Sequence, residues 1–307
     1  MNEAIIRKLH DEGILAFKKK EYSKAFECSY KCAEQGYLWA QCLLGVLYAE
    51  GLGVEQDYQK AAKWYRRAAE QGFAAAQNIM GVMYEKGEGV GQNDTEAAAW
   101  YLRAAIQGFA RAQCNLGFMY QEGRGVEQND AEAAAWYRKA AEQDLADAQF
   151  NLGLMYEGGR GVEQDNAKAA EFYCKAAEQG VVDAQFNLGL MCADGKGVGQ
   201  DYRSAAKWFR RAAEQGDAKA QFNLAVMYKE GKGIGQSDVK AIKWYRKAAK
   251  QGFVDAQFNL GLMYEEGIGV VQNVSKAEEW FCKAAEQGNS DAQSRLKAMG
   301  KGKEEIE

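Results

Sequence analysis

A 36-residue repeat constrains this chain more than any other feature of its sequence. One glutamine returns in phase eight times, at Gln41, Gln77, Gln113, Gln149, Gln185, Gln221, Gln257 and Gln293. Glycine keeps the same phase at Gly45, Gly81, Gly117, Gly153, Gly189 and Gly261, with Ala225 in the remaining slot. Large aromatic residues keep it as well, at Trp64, Trp100, Trp136, Phe172, Trp208, Trp244 and Trp280. A fixed period of this length is typical of arrays in which each repeat is one supersecondary unit.

The pattern within each repeat predicts two helices. The first helix has apolar residues three and four apart, as in Ala148, Leu152, Met155 and Tyr156. The second helix follows a good N-cap residue in all seven full repeats, at Asp57, Asn93, Asn129, Asp165, Asp201, Ser237 and Asn273. It ends at Gln-Gly in most repeats, where glycine can adopt the left-handed conformation of a helix C-cap. Because the chain has no proline and is 47% hydrophobic, we predict an all-α fold of helix-turn-helix repeats around a real core.

A glycine-rich loop separates the two helices of each repeat, as in Gly87-Glu88-Gly89-Val90. Such loops bind phosphate in other folds, but here no strand precedes the loop, no Gly-Lys-Ser/Thr follows it, and it recurs in every full repeat. We interpret it as a turn whose glycines supply positive φ and whose valine packs back onto the core.

Composition excludes several classes of function. Lys+Arg 39 against Asp+Glu 43 gives a net charge of −4, without the dense basic face that nucleic-acid binding needs. No apolar run is long enough for membrane insertion. Seven cysteines, an odd number, favour free thiols in a reducing compartment. We therefore expect a cytoplasmic protein, or a secreted or periplasmic one if a leader peptide has been removed.

Three motifs in each repeat carry a family resemblance. They are Leu-Gly-x-Met-Tyr in the first helix, Gly-x-Gly-Val-x-Gln-Asp in the loop and Ala-x-x-Trp-Tyr-x-x-Ala-Ala-x-Gln-Gly in the second helix. Together they resemble the Sel-one-like repeat (SLR) family, a subclass of the tetratricopeptide superfamily. The resemblance implies a right-handed superhelical α-solenoid whose concave inner face is built from the first helices. It also implies adaptor or scaffold work, which in the family includes bacterial signalling, host interaction and protein quality control.

The register divides the chain into four segments. Residues 1–36 form a shorter unit that resembles an ordinary tetratricopeptide repeat and is expected to cap the array. Residues 37–288 hold seven Sel-one-like repeats, residues 289–299 supply a C-terminal capping helix, and residues 300–307 are expected to form a flexible tail.

The sequence offers little for catalysis or metal binding, and we predict no catalytic, cofactor or metal site. His10 is the only histidine, which removes Ser-His-Asp and most histidine-based metal schemes. Cys28 and Cys32 are expected to be small core residues rather than zinc ligands. Ser204-Ala205-Ala206-Lys207 fits the Ser-x-x-Lys pattern of penicillin-recognising enzymes. However, Ser204 occupies a solvent-facing slot that holds lysine or glutamate in other repeats, and the cysteine pairs of the penicillin-binding SLR branch are missing.

Two ladders in the first helices are candidate partner-binding residues. The amide ladder consists of Asn115, Asn151, Asn187, Asn223 and Asn259. In tetratricopeptide proteins the matching asparagine lines the groove. There its amide can hydrogen bond to the backbone of a peptide, whatever side chains the peptide has. The apolar ladder consists of five pairs of residues four apart, which the family pattern also places on the concave side: Cys114 and Phe118, Phe150 and Leu154, Phe186 and Leu190, Phe222 and Val226, and Phe258 and Leu262. The alternatives are that the amides bond to a neighbouring repeat and that the apolar residues are buried between repeats.

Three functions from different classes remain at this stage. The first is a protein–protein interaction scaffold that binds a protein or peptide segment, such as an amphipathic helix, in the groove. We expect this scaffold to be a monomer, with an oligomer as the alternative. The second is a toxin-neutralising (immunity) protein or a secreted host-interaction protein. The third, strongly disfavoured, is a β-lactam-binding or β-lactam-hydrolysing enzyme.

Overall fold

A computed structural model describes residues 3–304, with side chains described for residues 4–300. The described residues form 17 helices and no strand, so the predicted all-α class is confirmed. The chain divides into two compact units, Met1–Gln164 and Asp165–Glu307. Across residues 3–304, every helix is too short or too polar to cross a membrane.

The first unit contains nine helices within its described residues, and consecutive helices pack against each other. They are α1 Glu3–Lys18, α2 Tyr22–Ala33, α3 Leu38–Glu50, α4 Tyr58–Glu70, α5 Ala74–Lys86, α6 Asp94–Ala105, α7 Ala110–Glu122, α8 Asp130–Ala141 and α9 Ala146–Gly158.

The second unit contains eight helices within its described residues, again with consecutive helices in contact. They are α10 Asn166–Glu178, α11 Val182–Asp194, α12 Tyr202–Glu214, α13 Ala218–Glu230, α14 Asp238–Lys250, α15 Val254–Glu266, α16 Val274–Glu286 and α17 Ser290–Glu304.

All seven predicted N-caps are confirmed. In each, the side-chain oxygen accepts a hydrogen bond from a backbone N–H two or three residues later, as Asn129 Oδ1 does from Glu132 at 3.1 Å. This contact satisfies one of the N–H groups that a helix start leaves unpaired. Each of these helix starts is therefore determined by residues that are close together in the sequence.

The in-phase glycine of the first helix lets an aromatic ring of the second helix approach its backbone. A Cβ atom on Gly189 would lie 2.7 Å from Cδ1 of Phe209, and one on Gly261 would lie 2.5 Å from Cε1 of Phe281. These rings are buried. Close packing, which we predicted from the glycine phase, thus offsets the roughly 1 kcal/mol that glycine costs inside a helix.

The loop glycines have the predicted positive φ and join neighbouring repeats. The second glycine of each loop meets the first turn of the preceding repeat's second helix, so that a Cβ on Gly89 would overlap the carbonyl group of Tyr58. Val90 packs against the core as expected. The loop is therefore a packing element between hairpins.

The in-phase glutamines are buried and form hydrogen bonds between helices, which the sequence did not reveal. Gln41, Gln77, Gln113, Gln149, Gln185, Gln221 and Gln257 are all buried. Gln221 on α13 donates from Nε2 to the carbonyl oxygen of Ala213 on α12 at 3.1 Å. Its Oε1 accepts from Nε2 of Gln251, at the end of α14, at 2.9 Å. One buried amide thus connects three consecutive helices, which explains why this residue recurs most regularly.

The chain ends differ in detail from the sequence prediction. The last helix continues to Glu304, so residues 300–304, assigned to a flexible tail, are helical. The other tail residues, 305–307, lie outside the described residues.

At the other end, Cys28 and Cys32 are buried core residues as expected.

Candidate binding surface

The asparagines of the amide ladder are half-buried, and several already make internal hydrogen bonds. Nδ2 of Asn115 donates to Oδ1 of Asn78 in the preceding repeat at 3.1 Å. In the second unit, Asn223 donates to the carbonyl oxygen of Lys219 at 3.0 Å, and Asn259 donates to that of Asp255 at 2.8 Å. Asn115 therefore makes the inter-repeat contact that was the alternative to peptide binding, whereas Asn223 and Asn259 bond to their own helices.

Asn151 and Asn187, the remaining amides, are also half-buried. Asn151 lies near the thiol of Cys114 in the preceding repeat. Burial is the main reason that the pKa of Cys114 is raised to about 12, so this thiol stays protonated and is a core contact rather than a nucleophile.

The phenylalanines of the second unit rest on buried rings of the paired second helix. Phe186 lies 5.8 Å from Phe209 between ring centroids, Phe222 lies 5.7 Å from Tyr245 and Phe258 lies 5.7 Å from Phe281. All three phenylalanines are half-buried, as are Leu190 and Leu262. Each ring is thus held on one edge by its own hairpin and remains partly exposed on another.

The first unit carries the same ladder with a more exposed member. Phe118 is 40% exposed, and Phe150 and Leu154 are half-buried. Trp39, at the start of α3, is 58% exposed and meets Phe73 edge to face at 4.8 Å. Sequence reasoning missed Trp39. The register contained the signal, since the equivalent slot is charged in other repeats, at Arg111, Asp147, Asp183, Lys219 and Asp255.

Several charged side chains on the first helices interact with other side chains of the same chain. Glu230 pairs with Lys232 at 2.7 Å, and Glu265 pairs with Arg295 at 3.2 Å. Lys219 lies over the ring of Phe186, with Nζ 6.0 Å from the ring centroid. These contacts leave fewer free charges beside the two ladders.

Ser204 of the Ser-x-x-Lys match takes part in helix capping. Its Oγ donates to Oδ2 of Asp201, the N-cap of α12, at 2.6 Å. This bond is the leading reason that the pKa of Asp201 is lowered. Lys207 lies over the ring of Trp208, with Nζ 5.7 Å from the ring centroid. Among the residues with described side chains, His, Cys, Asp and Glu form no group of three that could hold a metal ion.

Comparison with solved structures finds related chains at high similarity. The protective antigen with an SLR fold from uropathogenic Escherichia coli is 39% identical, with a TM-score of 0.92 over 96% of this chain. The chain spans 64% of the length of that protein. A Sel1 repeat protein from Oxalobacter formigenes is 37% identical, with a TM-score of 0.74, and the match covers 96% of this chain and 87% of that one. A search among curated proteins returns no match.

The sequence model of the Sel1 repeat family matches eight consecutive segments of the chain. They are residues 8–37, 40–73, 74–109, 110–145, 146–181, 182–217, 218–253 and 254–289. The first segment covers the N-terminal unit that we assigned to an ordinary tetratricopeptide repeat. The repeat period, the helical hairpins and these matches together show that the chain belongs to the Sel1 repeat family.

Proposed function

We propose that this chain is an interaction scaffold that binds a peptide or protein segment along its first helices. The observation that carries the proposal is the row of half-buried rings in the second unit, each packed on a buried ring of the same hairpin. A ring that is already held in place loses little conformational freedom on binding. Such preorganised aromatic residues typically dominate interface energies.

The amides beside these rings can hydrogen bond to the backbone of a bound segment. Asn223 directly follows Phe222, and Asn259 directly follows Phe258. An asparagine side chain has two N–H donors and one acceptor oxygen, so one bond to its own helix leaves further capacity. Because each bond contributes only about 1 kcal/mol net, the rings would supply most of the affinity and the amides would set the backbone register.

Selection of peptides from a random display library, followed by affinity measurements on variants, tests the proposal. We expect Phe222→Ala to weaken a selected peptide by about tenfold or more, as truncation of an aromatic hot spot does. Lys207→Ala, on the exposed side of α12, is the matched control and should leave the affinity unchanged. Peptides that bind both variants equally would contradict the proposal.

A double variant separates binding from folding. Phe222 also packs on Phe253, 5.2 Å away between ring centroids, so its truncation can lower stability as well. Asn187→Ala combined with Asn223→Ala removes no core side chain. It should weaken peptide capture while the melting temperature stays nearly constant. A large drop in melting temperature would instead mark the amides as structural.

We infer a role in host interaction as the second candidate. The Escherichia coli relative, 39% identical, is a protective antigen, which requires that the immune system meets it. Antibody labelling of intact cells that produce the present chain tests this candidate. Labelling only after the cells are lysed would refute it. The toxin-neutralising alternative stays a prediction.

A further inference from the structure

A cluster of arginine, tyrosine and lysine recurs between repeats of the second unit. Arg210 donates from Nη2 to the hydroxyl oxygen of Tyr228 at 2.8 Å, and Nζ of Lys240 lies 5.3 Å from the centre of the same ring. The next repeat repeats the arrangement with Arg246, Tyr264 and Lys276, at 2.9 Å and 5.5 Å. We call this arrangement the Arg–Tyr–Lys cluster. It fills the space beside the second helices with a ring and two long cationic side chains.

One copy of the cluster is replaced entirely by small residues. The slots 36 residues before Arg210, Tyr228 and Lys240 hold Cys174, Cys192 and Ser204. The central slot is tyrosine in the other repeats, at Tyr48, Tyr84, Tyr120, Tyr156, Tyr228 and Tyr264. All three long side chains are therefore lost together at a single place.

The structure has a cleft at this place. Its volume is about 520 Å³, and its walls are mostly apolar, formed by Ala170, Cys174, Leu188, Cys192, Val198 and Trp208. We call it the cysteine cleft. Ligand pockets typically have volumes of about 300–1,000 Å³, so the cleft is large enough for a small molecule.

The polar groups around the cysteine cleft already have partners. Ser204 donates to Asp201, and Lys175 pairs with Glu171 at 2.7 Å. Burial is the main cause that raises the pKa of both thiols, so Cys174 and Cys192 stay protonated near neutral pH. No charged group at this site needs an ionic guest, and neither thiol is an activated nucleophile.

We propose that the cysteine cleft binds a small, uncharged aromatic molecule, whose ring takes the place that the tyrosine ring occupies in the other repeats. The walls provide Trp208 for ring contacts and apolar side chains for the remainder of the surface. Concave, mostly apolar clefts that exist before binding are the usual form of small-molecule sites. This inference is independent of peptide binding along the first helices.

Titration calorimetry on the full chain with p-cresol, the side chain of tyrosine without its backbone, tests the proposal. We expect one site per chain that saturates at millimolar concentration, and much weaker binding of 4-methylcyclohexanol, which has similar size but no aromatic ring. The variant Cys174→Arg, Cys192→Tyr and Ser204→Lys refills the cleft. It should weaken p-cresol binding by at least about tenfold, because the three longer side chains occupy the cleft.

A converse variant keeps the test decisive if the refilled protein does not fold. Arg210→Cys, Tyr228→Cys and Lys240→Ser should open a second cleft and raise the stoichiometry from one to two. Absence of p-cresol binding to the native chain, or equal binding by the native and refilled chains, would overturn the proposal. Binding of tyrosine-containing peptides but not of p-cresol would also overturn it, and would mark the cleft as a pocket for a partner's side chain.

Discussion

Replacement of a buried glutamine is the sharpest test of how the repeats hold together. Gln221 makes one hydrogen bond to the carbonyl oxygen of Ala213 and accepts another from Gln251. Gln221→Ala removes both, at about 1 kcal/mol net each. The Ala213 carbonyl oxygen keeps the hydrogen bond that it accepts from the backbone N–H of Gly216 at 3.2 Å, so it is not left unpaired. We expect a total loss of about 2 kcal/mol in the free energy of unfolding.

Gln293 is the matched control for this substitution. It stands in the same register on α17 and donates to the carbonyl oxygen of Ala285 at 3.3 Å, but its side chain is exposed. Water can replace its contact, so Gln293→Ala should cost less than about 0.5 kcal/mol, as most surface substitutions do.

Urea unfolding followed by circular dichroism measures the difference. With an m-value of about 2–3 kcal/mol/M, Gln221→Ala should lower the midpoint by about 1 M. Neighbouring repeats unfold as coupled units, so amide hydrogen exchange should show the largest loss of protection in α12–α14. Equal midpoints for Gln221→Ala and Gln293→Ala would refute the conclusion that the buried amide ties three helices.

Three further predictions concern local features. Asn129→Ala removes an N-cap and should cost about 0.5–2 kcal/mol, measured by thermal unfolding. The pKa of Asp201 is lowered in the folded state. The stability that this capping carboxylate provides should therefore be present above its unfolded pKa and lost as the pH falls through its folded pKa. Unfolding measured from about pH 6 to about pH 2 in the native chain and in Asp201→Asn checks whether stability falls with pH more steeply in the native chain. Gly189→Ala should destabilise by about 1–3 kcal/mol, because its Cβ would lie 2.7 Å from the ring of Phe209. Gly189→Ala should destabilise less in a Phe209→Leu background, where the opposite side chain is smaller, than it does in the native chain.

Local features were predictable because they depend on residues that are near in sequence. Asn129 caps a helix through the N–H of Glu132, three residues later, and the same chemistry recurs at every repeat. The glycine that ends most second helices, as at Gly72 with φ 91°, is likewise determined within one turn. The paired helices of each repeat, their starting residues and the fold class therefore followed from the repeat itself.

The partners of the side chains were less predictable, because the repeat pattern is the same whether a side chain faces a neighbour or solvent. Gln221 and Gln293 share one register, yet Gln221 is buried and accepts a hydrogen bond from Gln251, whereas the side chain of Gln293 is exposed. Asn115 and Asn223 also share one register, yet Asn115 meets Asn78 across repeats because residue 78 is asparagine in that repeat and not in the one that precedes Asn223.

The amino-acid sequence by itself determined that this chain forms paired helices every 36 residues, because capping and amphipathic periodicity act within a few turns. Only the tertiary structure decided that Phe186, Phe222 and Phe258 are half-buried, since that depends on how far the paired helix covers each ring. It also decided that Cys174, Cys192 and Ser204, distant in sequence, border a single cleft. Burial is a property of the packed neighbours, and those neighbours come from other helices.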